Sequence, residues 1–119
     1  MPERFQQNVG INQHHNRIKQ ASGHDTLLLC VGDLNYRSSL SALEDLRRQN
    51  SFGQEGGVVL NHTFDIHCTR TSHYNKVDLE PEADYMIACP DLANKAVYLQ
   101  ADYEAPSDHA SLIGRFVFE

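Results

Sequence analysis

Tryptophan is missing from this chain and phenylalanine occurs only five times, so a buried core has to rest mainly on aliphatic side chains. Cysteine is scarce and odd in number: Cys30, Cys68 and Cys89 exclude a fully paired disulfide framework. Two of the three sit inside apolar runs, which reads as buried free thiols in a reducing compartment. No apolar run approaches the roughly 20 residues needed to span a bilayer. The polar start Met1-Pro2-Glu3-Arg4-Phe5-Gln6-Gln7-Asn8 lacks the hydrophobic segment of a secretory signal, and the expected location is cytoplasmic. Basic side chains are also in short supply, ten Lys and Arg against sixteen Asp and Glu, for a net charge of −6. That balance excludes broad, nonspecific duplex binding through a basic surface. A nucleic-acid substrate stays open, because a bound cation can supply local positive charge.

What is present fits one globular domain over residues 1–119. Forty per cent of the residues are apolar, enough for a true core in a chain of this length. Residues 3–20 carry sparse apolar positions, Phe5, Val9, Ile11 and Ile18, and predict a weak amphipathic helix despite Gly10. Ser22-Gly23-His24-Asp25 reads as a loop. The run 26–31 ending in Gly32-Asp33 predicts a strand buried on both faces. A helix follows from about Ser38, with Leu40, Leu43 and Leu46 as its apolar stripe. Ser41 with Glu44 has capping-box spacing, and Ser38 or Ser39 offers a cap one turn earlier. Short strands are expected at 58–60 and 63–66, and a polar loop over 69–81. Residues 84–89 predict a second buried strand stopped by Pro90. Residues 96–99 predict a third, Pro106 to His109 a turn, and 111–118 the last strand.

Three acidic positions stand at the edges of these apolar runs: Asp33 after the first, Asp84 at the start of the second, Asp108 before the last. Strand ends are where open α/β sheets build sites. Carboxylates brought close together repel unless a cation or proton lies between them, and a hard divalent cation prefers oxygen donors. His109 adds a group that can bond a phosphate oxygen or exchange a proton near neutral pH. Each piece has a plainer reading: a Gly-Asp-x-Asn turn, a solvated cap, a polar loop. Their occurrence in order, each beside an apolar strand, points to a site. His62, His67 and His73 with Cys68 lack the paired spacings that zinc requires and read as loop histidines. Arg47-Arg48 reads as a solvent-exposed helix end, with substrate-backbone contact as the alternative.

Gly32-Asp33-Leu34-Asn35, Asp84-Tyr85-Met86-Ile87 and Ser107-Asp108-His109 together resemble the last three motifs of the endonuclease/exonuclease/phosphatase superfamily, the DNase I-like proteins. The resemblance covers about residues 26–119. It implies an α/β fold, half of a four-layer α/β sandwich with one mixed β-sheet and flanking helices, and so a partial domain. It implies Mg2+- or Mn2+-dependent hydrolysis of a phosphoester, nucleic acid among the candidates. By resemblance Asp33 handles a proton of the attacking water or leaving oxygen. Asn35 orients the nucleophile or the scissile phosphate, and Asp84 orients His109. His109 bonds a phosphate oxygen or acts as base, and Asp108 helps hold the cation. The family's first half supplies an Asn and a Glu metal ligand that have no counterpart here. The implied partner is therefore a separate N-terminal half, or a second copy covering the open sheet. The alternative is a catalytically silent remnant or interaction module of the same fold. Gly32 to Arg37 resembles the inositol 5-phosphatases, whereas Asp84 to Ile87 resembles the nuclease-type members, so the two motifs divide on substrate.

Overall fold

The structure, a computed structural model, describes residues 3–22, 26–33, 40–66, 68–71, 79–81, 84–104 and 109–118. Its organising element is a strand, β5 (Asp84–Ala88), whose Tyr85, Met86, Ile87 and Ala88 are all buried. An unbroken apolar run of this kind is stable as a strand only when both faces are covered. Met86 faces a hairpin made of β6 (Ala96–Asp102) and β7 (Ser111–Phe116), where Gly114 lies close against its sulfur. Tyr85 and Ile87 alternate onto the other face and share one core with Leu43, Leu46 and Phe52. Gly57 is required there: a Cβ would come within 2.8 Å of the Ile87 side chain and 3.1 Å of Phe52.

On its two edges β5 is paired antiparallel with β1 (Leu29–Asp33) and with β2 (Val58–Val59). The fold is mixed α/β, and every described ladder is antiparallel. One mixed sheet was the expectation. The described strands instead form three separate groups, the trio around β5, the β6–β7 hairpin, and a second hairpin of β3 (Cys68–Thr71) with β4 (Leu79–Pro81). Both edges of β5 are already occupied, so the β6–β7 hairpin meets Met86 face-on rather than adding a strand. The β3–β4 pairing falls where a polar loop was expected, because backbone ladder bonds form without an apolar pattern.

Two strand expectations change. The first run is not buried on both faces: Leu29 is 38% exposed and Val31 56%. β1 lies at the edge of its sheet, and no described element covers that face. Residues 63–66 form no strand. The chain turns at Leu60 into a single helical turn, α3 (Leu60–Thr63), and Asp65 takes a left-handed φ of 62°. The helix after the first motif, α2 (Leu40–Arg47), is followed by a 3-10 turn at Asn50–Phe52. Ser41 stands inside α2 rather than at its cap, and Glu44 pairs with Arg47 and Arg48 instead of reaching back. Ser38 and Ser39 lie outside the described residues. Pro90 does stop β5, and it opens α4 (Pro90–Ala93), where a missing N–H costs nothing.

The first helix, α1 (Glu3–Ser22), runs about 30 Å, continues through Gly10 and takes in Ser22, where the loop was expected to start. Of the expected apolar stripe, Ile11 packs against the core, but the face turned to α2 is largely polar. Asn8, Asn12, His15 and Lys19, spaced at helical intervals, face α2 and the 3-10 turn, while Val9 and Ile18 are exposed. Asn8 Nδ2 donates to the Ala42 carbonyl at 2.7 Å and to Asp45 Oδ2 at 3.1 Å. Asn12 Oδ1 accepts from the Ser51 N–H at 3.0 Å, and Lys19 Nζ donates to the Ser51 carbonyl at 3.3 Å. His15 stacks edge-on against Phe52 with ring centroids 5.4 Å apart. No described helix is long and apolar enough to cross a membrane.

Burial, reinforced by the neighbouring His14, holds the His15 imidazole below its ordinary value of 6.5. The unfolded chain therefore binds a proton that the folded chain refuses. The contribution of His15 is full above pH 6.5 and is lost as the pH falls below it, through the depressed folded value. Thermal unfolding measured across this range is expected to show a steeper acid loss in the wild type than in His15→Gln; equal slopes would contradict it.

Candidate active site

The antiparallel register of β1 and β5 sets Asp33 directly opposite Asp84. Just before Asp33, Gly32 has φ +147°, a backbone conformation that side-chain-bearing residues rarely adopt. No atom crowds the position, so the demand for glycine is torsional. Asp84 opens β5, and His109 stands two residues before β7, beside the buried Ala110. The hairpin that covers Met86 thus delivers His109 to the same end of the sheet.

There the imidazole and the carboxylate meet. His109 Nδ1 lies 2.7 Å from Asp84 Oδ2, with side-chain exposures of 28% and 16%. An ionised carboxylate only accepts, so Nδ1 carries the proton and donates it to the bond. With Nδ1 engaged, Nε2 is an acceptor when the ring is neutral and a donor when it is charged. A recess of about 280 Å3, lined by Val31, Gly32, Met86, Ala110 and Leu112, opens beside Asp84.

The sequence expectations divide accordingly. Asp84 and His109 are brought together, and the backbone of Asp33 is placed across from Asp84. Asn35 and Asp108 lie outside the described residues, as do Pro106 and Ser107 of the expected turn. Among the described residues no group of three or more His, Cys, Asp or Glu is arranged to hold a metal ion. Of the histidines weighed for zinc, His62 is exposed on α3, and His67 and His73 lie outside the described residues. Arg47 and Arg48 are engaged with Glu44, at 2.7 and 2.6 Å. Hydrogen bonds from both guanidinium groups hold the Glu44 carboxyl at about 2. A wider cleft of about 760 Å3, with Lys19, Glu55, Asp91 and Lys95 on its walls, lies at the Cys89 end of β5, away from Asp84. Asp84 lines the smaller recess and His109 contacts Asp84, so this end of β5 is the candidate site.

Sequence reasoning missed Asn61. It is fully buried, and its carboxamide bonds the backbone of β5 on both sides of Tyr85. Nδ2 donates to the Asp84 carbonyl at 2.9 Å and Oδ1 accepts from the Met86 N–H at 2.9 Å. The only local signal was a polar residue closing the apolar run Val58-Val59-Leu60. Compared with known proteins, the chain matches no family model and no curated protein.

The imidazole–carboxylate bond is half-shielded, which puts its coupling at about 1 kcal/mol. Urea unfolding of Asp84→Asn, His109→Gln and the double variant is expected to show that non-additivity. Strict additivity would mean the two side chains do not sense each other.

Proposed function

We propose that the chain carries the C-terminal part of a metal-dependent phosphoesterase site of the endonuclease/exonuclease/phosphatase kind. The observation that supports this reading best is the His109 Nδ1 to Asp84 Oδ2 contact at 2.7 Å, formed where the backbone of Asp33 stands in register with Asp84. A carboxylate that fixes the tautomer of a histidine is the arrangement such a histidine needs to present Nε2 to a phosphoryl oxygen.

The donor chemistry fits a hard divalent cation. The backbone of Asp33 stands in register with Asp84, and Asp108 precedes His109 in the sequence, so the candidate donors are carboxylates, the oxygen ligands such a cation prefers, rather than thiolates. Asp108 is the residue proposed to hold Mg2+ or Mn2+. The cation would supply neutralisation of charge developing on the phosphoryl oxygens. The chain's own groups do the remainder. Nε2 of His109 bonds a phosphoryl oxygen, stabilising the added charge of the transition state, or serves as base. Asp33 takes a proton from the attacking water or returns one to the leaving oxygen. Asn35 orients the nucleophile.

In this reading the fold is half of a four-layer sandwich. The exposed Leu29 and Val31, which share one face of β1, support it, since an uncovered face is what a missing layer leaves. A separate N-terminal half or a second copy would cover that face and, in the first case, complete the metal ligands. The same exposed residues favour a second reading, an interaction module that keeps the site without turning over substrate.

Hydrolysis of abasic DNA, nicked DNA and a generic phosphodiester, with Mg2+ and with chelator, separates the two. The hydrolase reading expects chelator-sensitive turnover that Asp33→Ala and His109→Ala each lower about a hundredfold or more. Turnover indifferent to chelator and to both substitutions would exclude it. No turnover at all, by the chain alone, would favour the interaction module.

A further inference from the structure

β2 supplies only two ladder residues, Val58 opposite Ala88 and Val59 opposite Ile87, before the chain leaves the sheet at Leu60. In an antiparallel ladder alternate residues point their N–H and C=O to the same side. The groups of Met86 and Asp84 therefore face the side that β2 has vacated. Buried backbone groups of this kind must be bonded. The carboxamide of Asn61 bonds two of them at once, accepting from the Met86 N–H and donating to the Asp84 carbonyl, each at 2.9 Å. A flipped amide would set donor against donor and acceptor against acceptor, so both bonds hold only in this sense.

One of those two bonds ends on the residue that holds His109. We propose that Asn61 is a positioning residue for the Asp84–His109 couple. By fixing the backbone on both sides of Tyr85, it sets the direction in which the Asp84 carboxylate leaves β5 and so keeps Oδ2 on Nδ1 of His109. Asn61 is fully buried and its two bonds run to the backbone of β5, so its effect reaches the site through Asp84. Alanine would leave both backbone groups without that partner. Serine is too short to span both. The catalytic consequence rests on the hydrolase reading above, whereas the geometric one does not.

The test uses the full chain labelled with 15N. The ring nitrogens of His109 are identified by their loss in His109→Gln, and the tautomer is read where the ring is neutral. The wild type is expected to hold one tautomer, with the proton on Nδ1. Asn61→Ala and Asn61→Ser are each expected to give a mixture of both tautomers while the amide spectrum stays folded. Leu46→Val, in the same core but without a bond to the β5 edge, controls for simple loosening and is expected to keep the single form. An unchanged tautomer in a folded Asn61 variant, or the same mixture in Leu46→Val, overturns the proposal. Loss of the fold in both Asn61 variants, with Leu46→Val still folded, makes Asn61 a residue of the fold alone and overturns it too. Where the wild type hydrolyses phosphodiester, both Asn61 variants are expected to lose about tenfold in kcat with KM unchanged; an undiminished kcat overturns the proposal. No hydrolysis by the wild type rejects only independent catalysis by this chain, and the tautomer still decides the role of Asn61.

Discussion

Everything described here depends on the satisfaction of one buried strand. β5 has no exposed face through Tyr85, Met86, Ile87 and Ala88, so each of its backbone groups must find a partner within the protein. β1 takes one edge along all five residues, β2 takes the other for two, and Asn61 takes over where β2 ends. The faces are closed by different means. The helical side fills with Leu43, Leu46 and Phe52, and the opposite side receives the β6–β7 hairpin against Met86. That closure brings Asp84 and His109 together, because the first opens β5 and the second leads into β7. Core and candidate site are consequences of the same strand.

The remainder of the molecule is attached more loosely. α1 meets α2 and the 3-10 turn through asparagine, histidine and lysine side chains rather than through an apolar seam. The apolar side chains Val9 and Ile18 are left outside, and Leu29 and Val31 of β1 are exposed as well. The groove between α1 and β1, lined by Gly10, Ile11, His14 and Cys30 among others, belongs to this uncovered region.

The sequence was most legible where burial and chain direction coincide. The runs that became β5, β6 and β7 announced themselves by apolar content, unbroken from Tyr85 to Ala88 and from Ala96 to Leu99 and interrupted by Gly114 and Arg115 in β7, and Pro90 marked the end of β5. The Asp84–His109 contact was legible through the resemblance of ordered motifs and not through spacing, since the two residues are 25 positions apart. β1 was half-legible. Its apolar content reported a strand but not how many faces would be covered, which depends on neighbours that composition does not encode. The β3–β4 hairpin and Asn61 left almost no trace. Ladder bonds in a polar segment, and a side chain bonded to backbone some 25 residues away, are set by where the chain returns, and no local period records that. α1 was half-legible for a related reason: Ile11 packs on the core as its apolar character suggests, whereas specific bonds from Asn8, Asn12 and Lys19 line the rest of the inner face and leave Val9 and Ile18 outside.

The polar seam of α1 has a thermal consequence. Apolar burial carries the large heat-capacity change of unfolding, and its strength fades on cooling. The seat of α1 combines amide, imidazole and ammonium contacts with the packing of Ile11 and His15 on the core, so less of its hold comes from apolar burial than in the core itself. Cooling, which loosens apolar packing such as that of Leu46, acts less on the hydrogen bonds of Asn8, Asn12 and Lys19. The two kinds of contact therefore answer differently to cooling, one governed by water around hydrocarbon and the other by the geometry of a few donors and acceptors.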